Sequence, residues 1–192
     1  MNARIKLILL FLLFASPFIV AWIVFHFWTP SSFTNRGTLV SPVIQLANIP
    51  IRIAAPEPAE RKWSAEPRLH GKWVLLHVGA MPCDATCEAR LVDMRQVHAA
   101  LGKNQPRVQR AFAIQRGAAD PAFAARVPDL IWLEGAELNA AVGKAMPSGA
   151  ATGDMLLIID PLGNLMLRHG PGVDLKGVVK DMERLLKASR IG

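Results

Sequence analysis

The chain has 192 residues, 52% of them apolar, and carries a net charge of +7. That length admits one ordinary domain plus an appendage, and the apolar fraction excludes a wholly soluble chain of ordinary composition. The basic excess comes without a Lys/Arg run or interleaved aromatics, which excludes a nucleic-acid interface and leaves attraction to an anionic bilayer as an adequate account.

From Ile5 to Trp28 the sequence IKLILLFLLFASPFIVAWIVFHFW holds one charged residue, Lys6, at its start. Such a run is long enough to cross a bilayer as a helix. Arg4, Lys6 and the terminal amine precede it, so the positive-inside rule leaves the N-terminus in the cytoplasm and exports everything after Thr29. The run exceeds a normal signal-peptide core and no A-x-A-like site follows it closely, so an uncleaved anchor is expected. Pro17 interrupts the span, which a membrane helix tolerates where a neighbouring group satisfies the freed carbonyl. No Arg-rich, Ser-rich transit sequence precedes it, which points to a bacterial inner membrane.

Residues 30–65 contain Pro30, Pro42, Pro50, Pro56 and Pro58 and little periodicity. They read as a tether with one extended segment at Val43 to Ile53, giving a division into an anchor (1–29), a periplasmic tether (30–65) and a folded domain (66–192).

The domain is organised around Gly71 to Cys87, GKWVLLHVGAMPCDATC, which contains the only two cysteines of the chain. Lys72 to Gly79 has the length and apolar content of a buried strand, and a helical period follows Cys87. The pair therefore sits where a strand hands over to a helix N-terminus, whose unpaired N–H groups and dipole favour a thiolate, the form that attacks disulfides and binds soft metals. In a regular helix, residues four apart have Cβ atoms ~6 Å apart, whereas a disulfide needs ~3.8 Å. Cys83 is thus expected in the loop and Cys87 in the first helical turn, with Cys83 the nucleophile and Cys87 the resolving thiol. In an oxidising compartment the two should form a disulfide unless a reductant or a metal keeps them open.

After the cysteine helix, with Leu91, Met94, Val97 and Leu101 on one face, the pattern predicts a strand at Val108 to Ile114 and a short helix opened by Asp120-Pro121. Leu130 to Leu133 is a short apolar run and Ala136 to Val142 a short helix. Asp154 to Ile159 reads as a buried strand, Pro161 to Asn164 as a turn, Leu165 to Arg168 as its hairpin partner, and Val173 to Lys187 as an amphipathic closing helix. This β-α-β unit, crossover, hairpin and final helix form an α/β thioredoxin-like arrangement, a central mixed sheet flanked by helices.

Three stretches, GKWVLLHVG, the CxxxC spacing and LLIIDPLGNL before a terminal helix, make residues 66–190 resemble the Sco/SenC family. Its members are thioredoxin-like, membrane-anchored copper proteins that help assemble the copper centre of cytochrome c oxidase. The resemblance implies Cys83 and Cys87 as copper ligands or redox cysteines, Asp160-Pro161 with Gly163 as the hairpin, Cu(I) as the metal, and an oxidase subunit or another assembly factor as partner. The family places proline after each cysteine, where this chain has Asp84 and Glu88. The family's third ligand, a histidine seven residues before the hairpin aspartate, is replaced by Gly153.

Other donors are weaker candidates. A turn on Leu162-Gly163 pairs His169 with Leu156, on the opposite face from Gly153, and a solvated strand end is expected for it. His77 reads as a core or hydrogen-bonded residue, His70 and His98 as exposed, and Met81 and Met155 as core packing rather than soft ligands. A redox clamp would want a proline before the central strand, where Ala151-Thr152-Gly153 stands and Pro147 lies too far back. Three functions stay open: a copper chaperone for oxidase assembly, a thiol-disulfide oxidoreductase that keeps a partner's cysteines reduced, and a thioredoxin-like interaction module.

Overall fold

The computed structural model describes residues 2–27, 35–49, 52–53, 69, 71–147, 155–170, 172, 174–189 and 191. The chain forms two compact units, Met1–Thr34 and Asn35–Gly192. The first is a single helix, α1 (Ala3–Phe27), which is long and apolar enough to cross a membrane. Pro17 has no N–H to offer Leu13, and the Ser16 hydroxyl donates to the Leu13 carbonyl instead, at 2.9 Å. The helix therefore continues through its proline without leaving that carbonyl unsatisfied in lipid.

Among its described residues the second unit has seven strands and four α-helices. In chain order they are β1 (Thr38–Gln45), β2 (Arg52–Ile53), β3 (Trp73–Ala80), α2 (Ala85–Ala100), β4 (Val108–Arg116), α3 (Pro121–Arg126), β5 (Leu130–Glu134), α4 (Ala136–Ala145), β6 (Leu156–Ile159), β7 (Asn164–His169) and α5 (Leu175–Ala188). The sheet order is β1-β7-β6-β3-β4-β5-β2. β3, β4 and β5 run parallel, and the other neighbours are antiparallel. Every element expected from residue 71 onward is present, with ends moved by a few residues.

Central β3 is apolar along its length because both faces are covered, and its alternate side chains feed two cores. Trp73 and Leu75 pack with Leu91, Met94 and Val97 of α2, Phe112 of β4, and Val178, Met182 and Leu186 of α5. Val74, Leu76 and Val78 pack on the other face with Leu138 and Val142 of α4 and with Leu157 and Ile159. Three of these helix starts have a local cause. Asp84, Asp120 and Asp174 are N-caps whose carboxylates accept from backbone N–H groups of the first turn, and Pro121 opens α3. Arg107 fastens the far end of α5, donating to the carbonyls of Leu186 and Ser189 at 2.9 and 2.8 Å.

The hairpin turns on Asp160, whose Oδ1 accepts from Leu162 and Asn164 N–H groups at 2.9 and 2.8 Å. Gly163 has φ +83°, and a Cβ there would lie 2.6 Å from that of Ala47. Both conditions select glycine.

Residues 35–49 differ from the tether that their composition suggests. Thr38 pairs with Arg168 and Gln45 with Asn164, so this segment supplies an edge strand of the sheet, while Arg52 and Ile53 pair with Glu134 and Leu133 at the opposite edge. Of β1, only Val40 is buried, and Pro42 interrupts it. A strand with one inward side chain leaves almost no alternation to read. Gly153, Asp154, His70 and the Ala151-Thr152-Gly153 stretch lie outside the described residues, as do residues 54–68.

Candidate functional site

β3 ends at Ala80, and the chain passes through Met81, a cis Pro82 and Cys83 before α2 begins. Cys83 lies in this loop and Cys87 in the first turn of α2, and the two are joined as a disulfide with their Cα atoms 5.4 Å apart. Cys87 is buried in the core that α2 and α5 share, while Cys83 is half-buried at its margin. The outward sulfur is thus the one N-terminal to the helix.

The loop is held from outside its own sequence. The Met81 N–H donates to the Arg116 carbonyl at 2.8 Å, and Gly117 follows with φ +84°. A Cβ at position 117 would overlap the Met81 carbonyl oxygen. Gly117→Ala should therefore combine a left-handed backbone cost of about 1–2 kcal/mol with displacement of the loop. The expected outcome is a lower melting temperature together with a changed rate of Cys83 alkylation in the reduced protein. A variant that melts and alkylates like the parent would show that the loop does not rest on this residue.

Electrostatics at the helix start differ from the expectation of free N–H groups facing a thiolate. The Asp84 carboxylate accepts from the Cys87 N–H at 2.8 Å, so it occupies that donor and sets a negative charge at the positive end of the dipole. Glu88, next in the turn, pairs with Arg126 at 3.2 Å, and the Arg126 guanidinium lies 4.5 Å from the Phe123 ring centroid. α3 is thereby fastened beside the cysteine turn.

The histidines and methionines sort clearly. His77 is fully buried on the Cys87 side of β3, its Nδ1 lies 3.2 Å from the Met155 carbonyl, and its ring meets Phe112 edge-on at 5.2 Å. The side chains of Met81 and Met155 are buried, and Met81 packs in the α2–α5 core. His98 is half-buried, its Nε2 within 2.9 Å of the Val108 carbonyl, where it closes the turn after α2. His169 pairs with Leu156 as expected, by way of a register shift between Ile158 and Ile159, yet it is buried beside Asp181 rather than solvated. Asp181 is remote in sequence, so nothing local in NLMLRH announces the partner. Among the described residues no three His, Cys, Asp or Glu side chains converge on one point. The donor set in the loop is two sulfurs, which when reduced suits a soft ion of low coordination such as Cu(I) and suits Cu(II) poorly.

A family described as a transmembrane-like, thioredoxin-like, C-terminal domain matches residues 73–189. The chain belongs to that family. Yeast Sco1 with copper bound is 19% identical with a TM-score of 0.52, covering 63% of this chain and 82% of its own. Arabidopsis thaliana ScoI with copper bound is 18% identical with a TM-score of 0.50, covering 63% of this chain and 88% of its own. A candidate electron transport protein from Aquifex aeolicus VF5 is 12% identical with a TM-score of 0.56, covering 77% of this chain and 98% of its own. At such identities the likeness is one of fold, and the domain has the Sco-like thioredoxin fold. No curated protein matches the chain.

Sequence reasoning found both cysteines and missed their supports. Asp84 stood out only as a departure from a family pattern, and Gly117 reads locally as a turn glycine after a strand.

Proposed function

We propose that this protein is a Sco-like copper chaperone of a bacterial inner membrane, anchored by α1, with its thioredoxin-like domain in the periplasm. Its cargo is Cu(I), held by the reduced Cys83 and Cys87 and passed to thiolates of an apo-oxidase subunit or another assembly factor. The observation that carries this reading is the adjacent cysteine pair at the β3–α2 junction of a Sco-like fold, with one sulfur buried and the other at the surface. Thiolates of acceptor and donor exchange the ion ligand by ligand, so Cys83 at the margin is the natural point of handover and Cys87 the retaining ligand.

The bonded state of the pair supports a second reading, thiol-disulfide exchange. The reduced Cys83 thiolate attacks a partner disulfide, forming a mixed disulfide and releasing one partner thiolate. Cys87 then attacks Cys83 Sγ and releases the second partner thiol. The partner gains two electrons and this chain ends as the Cys83–Cys87 disulfide. Anaerobic Cu(I) titration of the reduced, detergent-solubilised chain against a chelator, run beside its thiol-disulfide potential, separates the readings. One tightly bound Cu(I) per chain supports the chaperone, whereas no binding by a protein that still reduces partner disulfides transfers the assignment to exchange.

Topology is testable independently. A reporter active only outside the cytoplasm, fused after Gly192, is expected to work, and activity of a cytoplasm-only reporter there would overturn the proposed orientation.

A further inference from the structure

The deepest ionisable cluster outside the cysteine loop lies where residues 35–37 enter the domain against β7 and α5. His169, the last residue of β7, is 1% exposed, and among the described residues neither of its ring nitrogens has a hydrogen-bond partner. Its Nε2 stands 3.6 Å from Asp181 Oδ2, too far for a hydrogen bond. Asp181, also 1% exposed, spends its oxygens elsewhere. Oδ2 accepts from the N–H groups of Arg36 and Gly37, both at 2.8 Å, and Oδ1 lies 3.1 Å from the Arg36 nitrogen. The half-exposed Arg184 guanidinium approaches Oδ1 at 3.6 Å.

The packing leaves little slack. A Cβ on Gly37 would lie 2.7 Å from His169 Cε1 and Nε2, and the Arg36 stem passes close over Gly177 of α5. Among the described residues the charged group facing the imidazole is Asp181 of α5, whose other oxygen meets Arg184 of the same helix and whose backbone donors come from Arg36 and Gly37 of the entry segment. From β6 the paired residue is Leu156, and Arg168, its neighbour on β7, donates to the Ala145 carbonyl of α4 instead.

We propose that His169 and Asp181 form a proton-operated clasp on the entry segment of the domain, closed while His169 is neutral and loosened when it is protonated. One carboxylate oxygen serves two backbone donors, and an imidazolium N–H beside it is a stronger donor than either. A protonated ring draws Oδ2 toward itself, and residues 36–37 lose their acceptor. β1 follows directly in the chain and, among the described strands, pairs with β7 at the edge of the sheet, so it loosens with them.

Burial holds the His169 pKa below its ordinary 6.5, with Asp181 pulling the other way. The clasp is consequently closed at neutral pH. Because the folded state binds the proton less readily than the unfolded state, stability falls as pH drops below 6.5 and levels off once the folded form is also protonated. A periplasmic domain, as proposed above, would meet external acidity directly, but the clasp does not depend on that topology or on copper.

Hydrogen exchange of the full chain in lipid nanodiscs, followed in peptides covering residues 35–45 and corrected for intrinsic pH dependence, reads the clasp. Protection is expected to fall about tenfold between roughly pH 7.5 and pH 5.5, and to stay constant over that range in His169→Leu. Constant or rising protection in the parent, or the same fall in His169→Leu, would overturn the proposal. Should that variant not fold, the Cε1 titration of His169 in the parent decides. A midpoint below 6.5 that moves together with the Gly37 amide signal supports the clasp, and a midpoint above 6.5 removes it.

Discussion

Replacing Cys83 or Cys87 by serine is expected to abolish Cu(I) binding by the reduced chain and, in the same variants, formation of the intramolecular disulfide. The expectation follows from the donor count. Two thiolates alone can hold Cu(I), but a serine hydroxyl is a hard, protonated donor that does not replace either of them. Among the described residues no third His, Cys, Asp or Glu side chain joins the two sulfurs in a group that could hold a metal ion, so losing one sulfur leaves one. Loss of at least about 100-fold in affinity, measured by chelator competition, is the outcome predicted for each variant. Cu(II) should bind the unaltered protein weakly, since among the described residues no imidazole joins the two sulfurs in a metal-holding group. A tight Cu(II) complex would mean that a further ligand joins the pair, and retention of Cu(I) by either serine variant would refute the two-sulfur site.

Truncating Phe112 should have the largest effect on the fold. Its ring is fully buried on β4, 5.2 Å from His77 and 5.1 Å from Trp132 between centroids, and its edge lies 3.0 Å from where a Gly79 Cβ would stand. Phe112→Ala removes the side chain common to these contacts in the layer beneath the cysteine loop. Buried phenylalanine-to-alanine changes cost about 3–5 kcal/mol, because the cavity closes only partly. For a unit of this size that corresponds to a fall in melting temperature of roughly 10 °C. Thermal unfolding followed by far-ultraviolet circular dichroism measures it, and a loss under about 1 kcal/mol would contradict the packing described.

The parts of the fold legible in the sequence are those whose side chains repeat with a period. β3 is an apolar run interrupted by His77 alone, Leu91, Met94, Val97 and Leu101 mark the buried face of α2, and Asp160 to Asn164 mark the turn, while the pairing of Leu156 with His169 also needs the register shift between Ile158 and Ile159. The parts that escaped depend on partners distant in the chain. β1 has a single inward side chain and is defined by its pairing with β7, so its residues look like linker. His169 looks solvated until Asp181 is folded against it, and Asp181 in turn is tied to Arg36, 145 residues away. Gly117 matters because the Met81 carbonyl comes to rest against it. At the cysteine site, spacing was enough to separate a loop sulfur from a helical one. It was silent about the Asp84 carboxylate on the Cys87 N–H, because that contact depends on the cap geometry.

The bond between Cys83 and Cys87 spans a sequence separation of only 4. A cross-link across so short a ring restricts the unfolded chain little, by about 2 kcal/mol where a ring of ~100 residues would contribute about 4.7. The rest of the domain is assembled by the sheet and its two cores, which lie on either side of β3, with Cys87 belonging to one of them. The link thus behaves as a removable clip on a frame that stands without it. On the function proposed above, opening and reclosing it costs the architecture little, so the same folded surface would be offered to a partner in either redox state.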